Sequence, residues 1–137
     1  MKFWTSIAQE LEAGHKGALM VVIYSKGSSP GRQGFKMFVS ESGLLLGSIG
    51  GGIMAHKLVE YCREKLLIDQ PVAPILKHQI HKDSIANDKS GMICSGEQTI
   101  VLYQLEKIAR HTISSITNAL ANESHGIFIA NESGIHF

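Results

Sequence analysis

The sequence predicts an α+β fold, in which about three helices flank a mixed β-sheet with at least one hairpin in a single domain. The chain has 137 residues, the length of one domain. Apolar residues make up 44% of it and charged residues 18%, which suffices for one hydrophobic core. Segments with helix and strand periodicity follow one another in the order α-β-β-β-α-β-β-α-β, with no linker between them.

The first half of the chain predicts a helix, a buried strand and a hairpin. Apolar residues recur every four positions over residues 3–13, which is typical of a helix. Residues 18–25 are rich in Val and Ile, and we expect a strand that is buried on both faces. Residues 36–40 and 44–48 flank the turn residues 41–43, which is the pattern of a hairpin.

The second half predicts two helices and three strands. Apolar residues recur every four positions within residues 53–67, which predicts an amphipathic helix with Cys62 on its apolar side. The other predicted elements are strands over residues 75–81, 97–105 and 126–130 and a helix over residues 107–122.

Composition and charge exclude several classes of protein. Thirteen Lys and Arg residues face twelve Asp and Glu residues, and this balance excludes a nucleic-acid binder that works by bulk charge. The longest apolar run, residues 18–24, is far shorter than the roughly 20 residues that cross a bilayer, so no membrane partner is expected. Two cysteines without a signal-peptide core predict a cytoplasmic protein with reduced thiols.

A glycine cluster between a predicted strand and a predicted helix is the main functional signal. Gly50, Gly51 and Gly52 carry no side chains, so their backbone N–H groups can approach a ligand closely. The helix that follows adds unpaired N–H groups and a partial positive charge, which suit a phosphate. The pattern is not a P-loop, because Ile53 stands where a lysine is needed. The structural alternative is a tight turn that packs the helix against the sheet.

A second glycine-rich loop strengthens the anion-site hypothesis. Ser28, Ser29 and Arg32 supply two hydroxyls and a planar guanidinium, a set that suits oxyanions. The alternative is a solvated surface turn. The two loops are separated by one hairpin, so they can converge at one end of the sheet, where ligands commonly bind.

Cys94 is the third candidate. It lies in the glycine-flanked segment 91–96, where nearby backbone amides would favour the thiolate, the form that binds soft metals. Burial as a small apolar residue is the alternative. His78 and His81 would point to opposite faces of a strand and cannot chelate together, and no ordered zinc-ligand spacing is present in the sequence.

Four motifs in order resemble the XdhC/CoxI family, accessory factors that mature xanthine and carbon monoxide dehydrogenases. They are Gly27-Ser28-Ser29-Pro30, Gly34-Phe35-Lys36-Met37, Gly47-Ser48-Ile49-Gly50-Gly51-Gly52 and Gly91-Met92-Ile93-Cys94-Ser95-Gly96. The resemblance covers residues 1–137 as the family's N-terminal domain. Full-length relatives continue into a C-terminal Rossmann-like domain, which we expect this chain to lack.

The resemblance implies a non-catalytic chaperone that binds molybdenum cofactor as cargo, protects it, supports its sulfuration and takes part in its insertion into a dehydrogenase. Gly50, Gly51 and Gly52 would hold the phosphate of molybdopterin, with Ser28, Ser29 and Arg32 opposite and Cys94 contacting the molybdenum. The implied partners are an apo xanthine dehydrogenase-type enzyme, a cysteine desulfurase, a separate Rossmann-like domain protein and further copies of the chain in a homo-oligomer.

The chain departs from the family pattern beside both glycine motifs. Relatives usually carry a cysteine directly after the triple glycine and an acidic residue two positions later, where this chain has Ile53 and Ala55. Ser95 replaces a glycine after the loop cysteine. Two rival functions therefore stay open: an enzyme that uses the same pocket on a nucleotide or other phosphorylated small molecule, and an interaction module that binds no ligand.

Overall fold

The computed structural model describes residues 2–27, 31–81, 96–106 and 109–137. Within these residues the chain forms three helices and seven strands. The helices are α1 (Lys2–Glu12), α2 (Gly52–Lys65) and α3 (Arg110–Ala121), and the strands are β1 (Gly17–Gly27), β2 (Lys36–Ser40), β3 (Leu45–Gly47), β4 (Ile75–His81), β5 (Gly96–Leu105), β6 (Ile129–Asn131) and β7 (Gly134–His136).

Five strands form one sheet in the order β3-β2-β1-β5-β4, and β6 and β7 form a separate hairpin. The α+β class and the predicted hairpin of β2 and β3 are confirmed. Every strand pair of the described residues is antiparallel, whereas the sequence predicts a mixed sheet. The difference arises because α2 connects β3 and β4 at opposite edges of the sheet instead of two neighbouring parallel strands.

Residues 17–22 of the central strand β1 are buried on both faces, as its Val- and Ile-rich sequence predicts, whereas Tyr24 in the predicted buried segment is 43% exposed. Alternate side chains enter two separate cores. Ala18, Met20 and Val22 pack with α2, while Leu19 and Val21 pack with α1, α3 and the segment of β6 and β7. The sheet is therefore covered by helices on both sides. None of the helices in the described ranges combines the length and the apolar character that a membrane crossing needs.

Strand β5 fixes the far end of α2. The Gln104 amide nitrogen donates to the carbonyl oxygens of Leu66 and Gln70, at 3.0 and 2.9 Å, just beyond the last turn of the helix. Leu66 is the C-cap residue of α2, and the carbonyls at the end of a helix have no partner within the helix. One side chain of β5 thus anchors the end of α2 to the sheet.

The Glu10 carboxylate ties α1 to the β2–β3 hairpin. Its Oε1 atom accepts hydrogen bonds from the hydroxyls of Ser40 and Ser42, and His15 Nδ1 lies 3.3 Å away. The two serine hydrogen bonds, with His15 nearby, lower the pKa of Glu10 below its usual value of 4.5. The Glu10 side chain is only 18% exposed, so these hydrogen bonds are partly shielded from water.

We expect Glu10→Gln to lower the free energy of unfolding at pH 7 by roughly 1 kcal/mol, because a neutral amide accepts weaker hydrogen bonds than a carboxylate. The folded-state pKa is lowered, so the stabilisation is complete above the usual value and is lost as the pH falls through the lowered pKa. Denaturant melts of wild type and variant at several pH values should therefore converge in acid. Glu12→Gln, an exposed change on the same helix, should have little effect at any pH. A gap between wild type and Glu10→Gln that persists unchanged into acid would contradict this account.

Candidate functional site

The last residues of β1, β3 and β4 lie toward one end of the sheet. Strand β1 ends at Gly27, which pairs with Gly96, where β5 begins. Gly96 also pairs with His81, the last residue of β4. Strand β3 ends at Gly47 opposite Met37, and α2 starts five residues later. The antiparallel order of the sheet therefore collects both glycine-rich loops at the same end.

The two loops are in contact at Gly31. A Cβ atom built on Gly31 would lie 2.0 Å from the carbonyl oxygen of Ile49 and 2.7 Å from its carbonyl carbon. Only a residue without a side chain fits so close to another backbone. Ile49 is itself fully buried, which holds the turn before α2 in place. The convergence that the sequence predicts is thus present, and it is made by backbone contact.

Gln98 joins this contact to the helix. It is fully buried, and its Oε1 atom accepts a hydrogen bond of 3.0 Å from the Gly31 amide. Its Nε2 atom lies 3.9 Å from the sulfur of Met54, in the first turn of α2. The sequence analysis does not identify Gln98. Its signal is a polar residue in register with the core-facing Ile100 and Leu102, two and four positions along β5.

Helix α2 begins without a cap from any described side chain. Gly51 is its N-cap residue, at φ 139°, and no acidic residue stands in the first turn. A Cβ on Gly51 would meet no atom of the described residues within 4 Å. The Gly50 amide donates to the Ser48 hydroxyl at 3.1 Å, whereas no described side chain caps the helix at Gly51. Uncapped N–H groups and a partial positive charge favour an anion here.

The loop before β2 is held by backbone hydrogen bonds to β1 and within the loop. The Gly34 amide donates to the Val22 carbonyl, and the Phe35 amide donates to the Arg32 carbonyl. The Lys36 ammonium donates to the Gly34 carbonyl at 2.8 Å and so braces the loop. The Arg32 side chain is exposed beside the Gly31 contact. Arg32 is therefore the guanidinium that this ordered loop presents to solvent.

The remaining candidate residues have different outcomes. Ser28, Ser29 and Cys94 lie outside the described residues. Cys62 is fully buried in the core, as predicted, and burial raises the pKa of its thiol to about 12. Within the described ranges, no group of three or more His, Cys, Asp and Glu side chains is placed to hold a metal ion. His78 instead contacts Thr99 Oγ1 at 2.8 Å.

Of the three positions that depart from the family pattern, Ser95 lies outside the described residues, and Ile53 and Ala55 have different surroundings. Ile53 is 48% exposed in the first turn of α2, beside the glycine turn. Ala55 is buried in the core that packs α2 against the sheet. Of these two residues, Ile53 alone presents its side chain to solvent at this end of the molecule.

Comparison with known proteins is consistent with this geometry. Residues 10–76 match the XdhC and CoxI family. The fold resembles a crystal structure of a protein described as a xanthine dehydrogenase from Bacillus halodurans, with a TM-score of 0.69 and 17% sequence identity. That match covers 96% of this chain but 40% of the other, so this chain spans less than half of that protein's length. No curated protein matches the chain.

The family match contains most of the described site. It includes β1, the loop of residues 31–35 (the Arg32 loop), the hairpin of β2 and β3, the triple-glycine turn and all of α2. Gln98, which holds the two loops together, lies beyond it in β5. Over residues 10–76, this chain carries a domain of the XdhC and CoxI family.

Proposed function

We propose that this domain carries molybdenum cofactor as cargo in the cytoplasm and takes part in the maturation of a xanthine dehydrogenase-type enzyme. One observation carries the proposal above the others: the contact between Gly31 and Ile49 sets the Arg32 loop against the uncapped start of α2. A guanidinium and a set of backbone amides are the groups that bind a phosphate monoester in proteins. Molybdopterin ends in such a phosphate.

The residues at this end of the sheet fit the cargo through its phosphate. The amides of Gly51 and Gly52 would donate to phosphate oxygens, and no described side chain lies within 4 Å of the position that a Cβ would take on Gly51. Arg32 would pair with the negative charge, and Gly50, whose amide bonds to Ser48, shapes the turn. The hydroxyls of Ser28 and Ser29 are proposed to add donors from the preceding residues of the same loop.

A thiolate is proposed for the other end of the cargo. Cys94 precedes Gly96 by two residues, and Gly96 pairs with Gly27 at this end of the sheet. Molybdenum held by dithiolene sulfurs is soft enough to accept a cysteine thiolate as ligand. Cys62 cannot take this role, because its thiol is buried and its pKa is raised to about 12.

The mode of holding suits a carrier. Backbone amides and one exposed arginine bind an anion without a covalent bond, so the cargo can be protected and then released. The proposed recipient is an apo xanthine dehydrogenase-type enzyme, and the proposed partners during sulfuration are a cysteine desulfurase and a separate Rossmann-like protein. The family match supports an accessory role of this kind.

We expect Arg32→Ala to reduce retention of molybdenum cofactor by about tenfold, because a charge-assisted contact to phosphate is lost. The measurement is the fluorescence of oxidised molybdopterin released from protein purified out of cells that make the cofactor. Arg63→Ala is the matched control, since Arg63 is exposed in the last turn of α2 and pairs with Glu60. Equal retention in both variants would contradict the role of Arg32.

A wild-type protein that carries no pterin but melts at higher temperature with nucleotides would favour the enzyme, and a protein that does neither would favour the interaction module.

A second pair of variants separates positioning of the loops from general stability. Gln98→Leu removes the acceptor of the Gly31 amide, and Gln104→Leu removes the anchor at the other end of α2. Each should lower the free energy of unfolding by roughly 1 to 3 kcal/mol, because a buried hydrogen bond is lost. Retention of the cofactor should fall in Gln98→Leu alone, with both proteins assayed well below their melting temperatures. Retention that falls equally in the two variants would show that Gln98 acts through stability.

The two cysteines provide the third test. Cys94→Ala should weaken retention of the molybdenum cofactor and leave the melting temperature close to that of wild type. Cys62→Ala should lower the melting temperature, because it opens a space in the core beside α2, and should leave retention unchanged below that temperature. Metal analysis of the purified proteins gives the molybdenum content directly. Molybdenum content unaffected by Cys94→Ala would remove this thiol from the site.

A further inference from the structure

Among the described residues, strand β4 forms one edge of the five-stranded sheet. All seven of its residues pair with β5 on one side, and no described strand pairs with its other side. The opposite edge of the sheet is β3, which is only three residues long. Short strands, prolines, bulges and charges usually prevent edge strands from pairing with other chains. Strand β4 has neither a proline nor an irregularity in its pairing.

On the face of the sheet opposite α2, strand β4 carries two exposed apolar side chains. Leu76 is 47% exposed and Ile80 is 62% exposed, and they flank His78 on the same face of the strand. The single Lys of the strand does not shield this face. Lys77 lies on the opposite face, where its Nζ atom is 4.1 Å from the centre of the Tyr61 ring of α2. Two exposed apolar side chains therefore lie beside a row of backbone groups with which no described strand pairs.

The sequence of β4 is complementary to itself in one antiparallel register. If a two-fold axis passes through His78, Leu76 of one copy lies opposite Ile80 of the other, and this apolar pair forms twice. On the other face Lys77 lies opposite Gln79, so like charges do not meet. A register centred on Lys77 would set two lysines against each other, and one centred on Gln79 would separate Leu76 from Ile80.

His78, at the centre of this register, already has hydrogen-bond partners for both ring nitrogens within its own copy. The His78 ring contacts Thr99 Oγ1 at 2.8 Å and Glu97 Oε2 at 3.2 Å of its own chain. Both partners stand on β5, on the inner side of β4. The imidazole therefore needs no new partner when a second strand approaches.

We propose that two copies of this chain associate through the outer edges of β4, in the register centred on His78. The five-stranded sheets of the two copies then join into one antiparallel sheet of ten strands. The glycine-rich loops stay outside the β4–β4 contact as part of each copy's own sheet end. The inference concerns assembly and does not rest on the cofactor proposal.

The test is the oligomeric state of the purified chain, measured by sedimentation equilibrium over a range of concentrations. Wild type should be a dimer, and Ile80→Lys should weaken the dimer at least tenfold, because lysine at an edge strand opposes pairing. Ile127→Lys is the matched control, since Ile127 is 76% exposed outside the sheet and should leave the dimer intact. Equal melting temperatures would show that the exposed substitutions leave the fold unchanged.

The register has its own readout. In a Cys94→Ser background, His78→Cys should form a disulfide between two copies under mild oxidation, while Lys57→Cys, on the exposed side of α2, should not. A wild-type chain that is monomeric at every concentration would overturn the proposal. A dimer that survives Ile80→Lys, or that gives no disulfide through position 78, would overturn it as well.

Discussion

The close approach of Gly31 to the carbonyl of Ile49 is the constraint on which the arrangement of this molecule depends. It joins two loops that are separated in the sequence by a complete hairpin, and it does so without any side chain between the two backbones. The buried Gln98 side chain stabilises this contact, because its amide oxygen accepts a hydrogen bond from the Gly31 amide and its amide nitrogen lies beside the Met54 sulfur. The loop at Gly31, the first turn of α2 and strand β5 thus meet at the buried Gln98 side chain.

Strand β5 sets the position of α2 at both ends. Gln98 lies at the start of the helix and Gln104 at its end, and Ile100 and Leu102 pack against the helix between them. A 14-residue helix is about 21 Å long, and seven strand residues span about 20 Å. The helix and the strand therefore match in length. This match holds the uncapped start of α2 at the sheet end where the Arg32 loop is also found.

Local patterns predict the elements of this fold well, and pairing between distant elements less well. The burial of residues 17–22 of β1 on both faces and the core position of Cys62 follow from composition and from a period of four residues, and both are confirmed. The antiparallel order could not be derived in the same way, because β5 inserts between β1 and β4 through contacts far apart in the sequence. The same holds for Gln98. Its alternation with Ile100 predicts which face of the sheet it occupies, but only the folded structure identifies Gly31 as its hydrogen-bond partner.

The central claim is that the amides of Gly51 and Gly52 and the Arg32 loop hold one phosphate together. Amide chemical shifts of isotope-labelled protein, recorded without oxygen before and after loading with molybdenum cofactor, test it most directly. The account predicts that the signals of Gly51, Gly52 and Arg32 move together at one ligand per chain, while that of Gly134 in the separate hairpin stays in place. Binding that shifts other residues and leaves these three signals unmoved would contradict it.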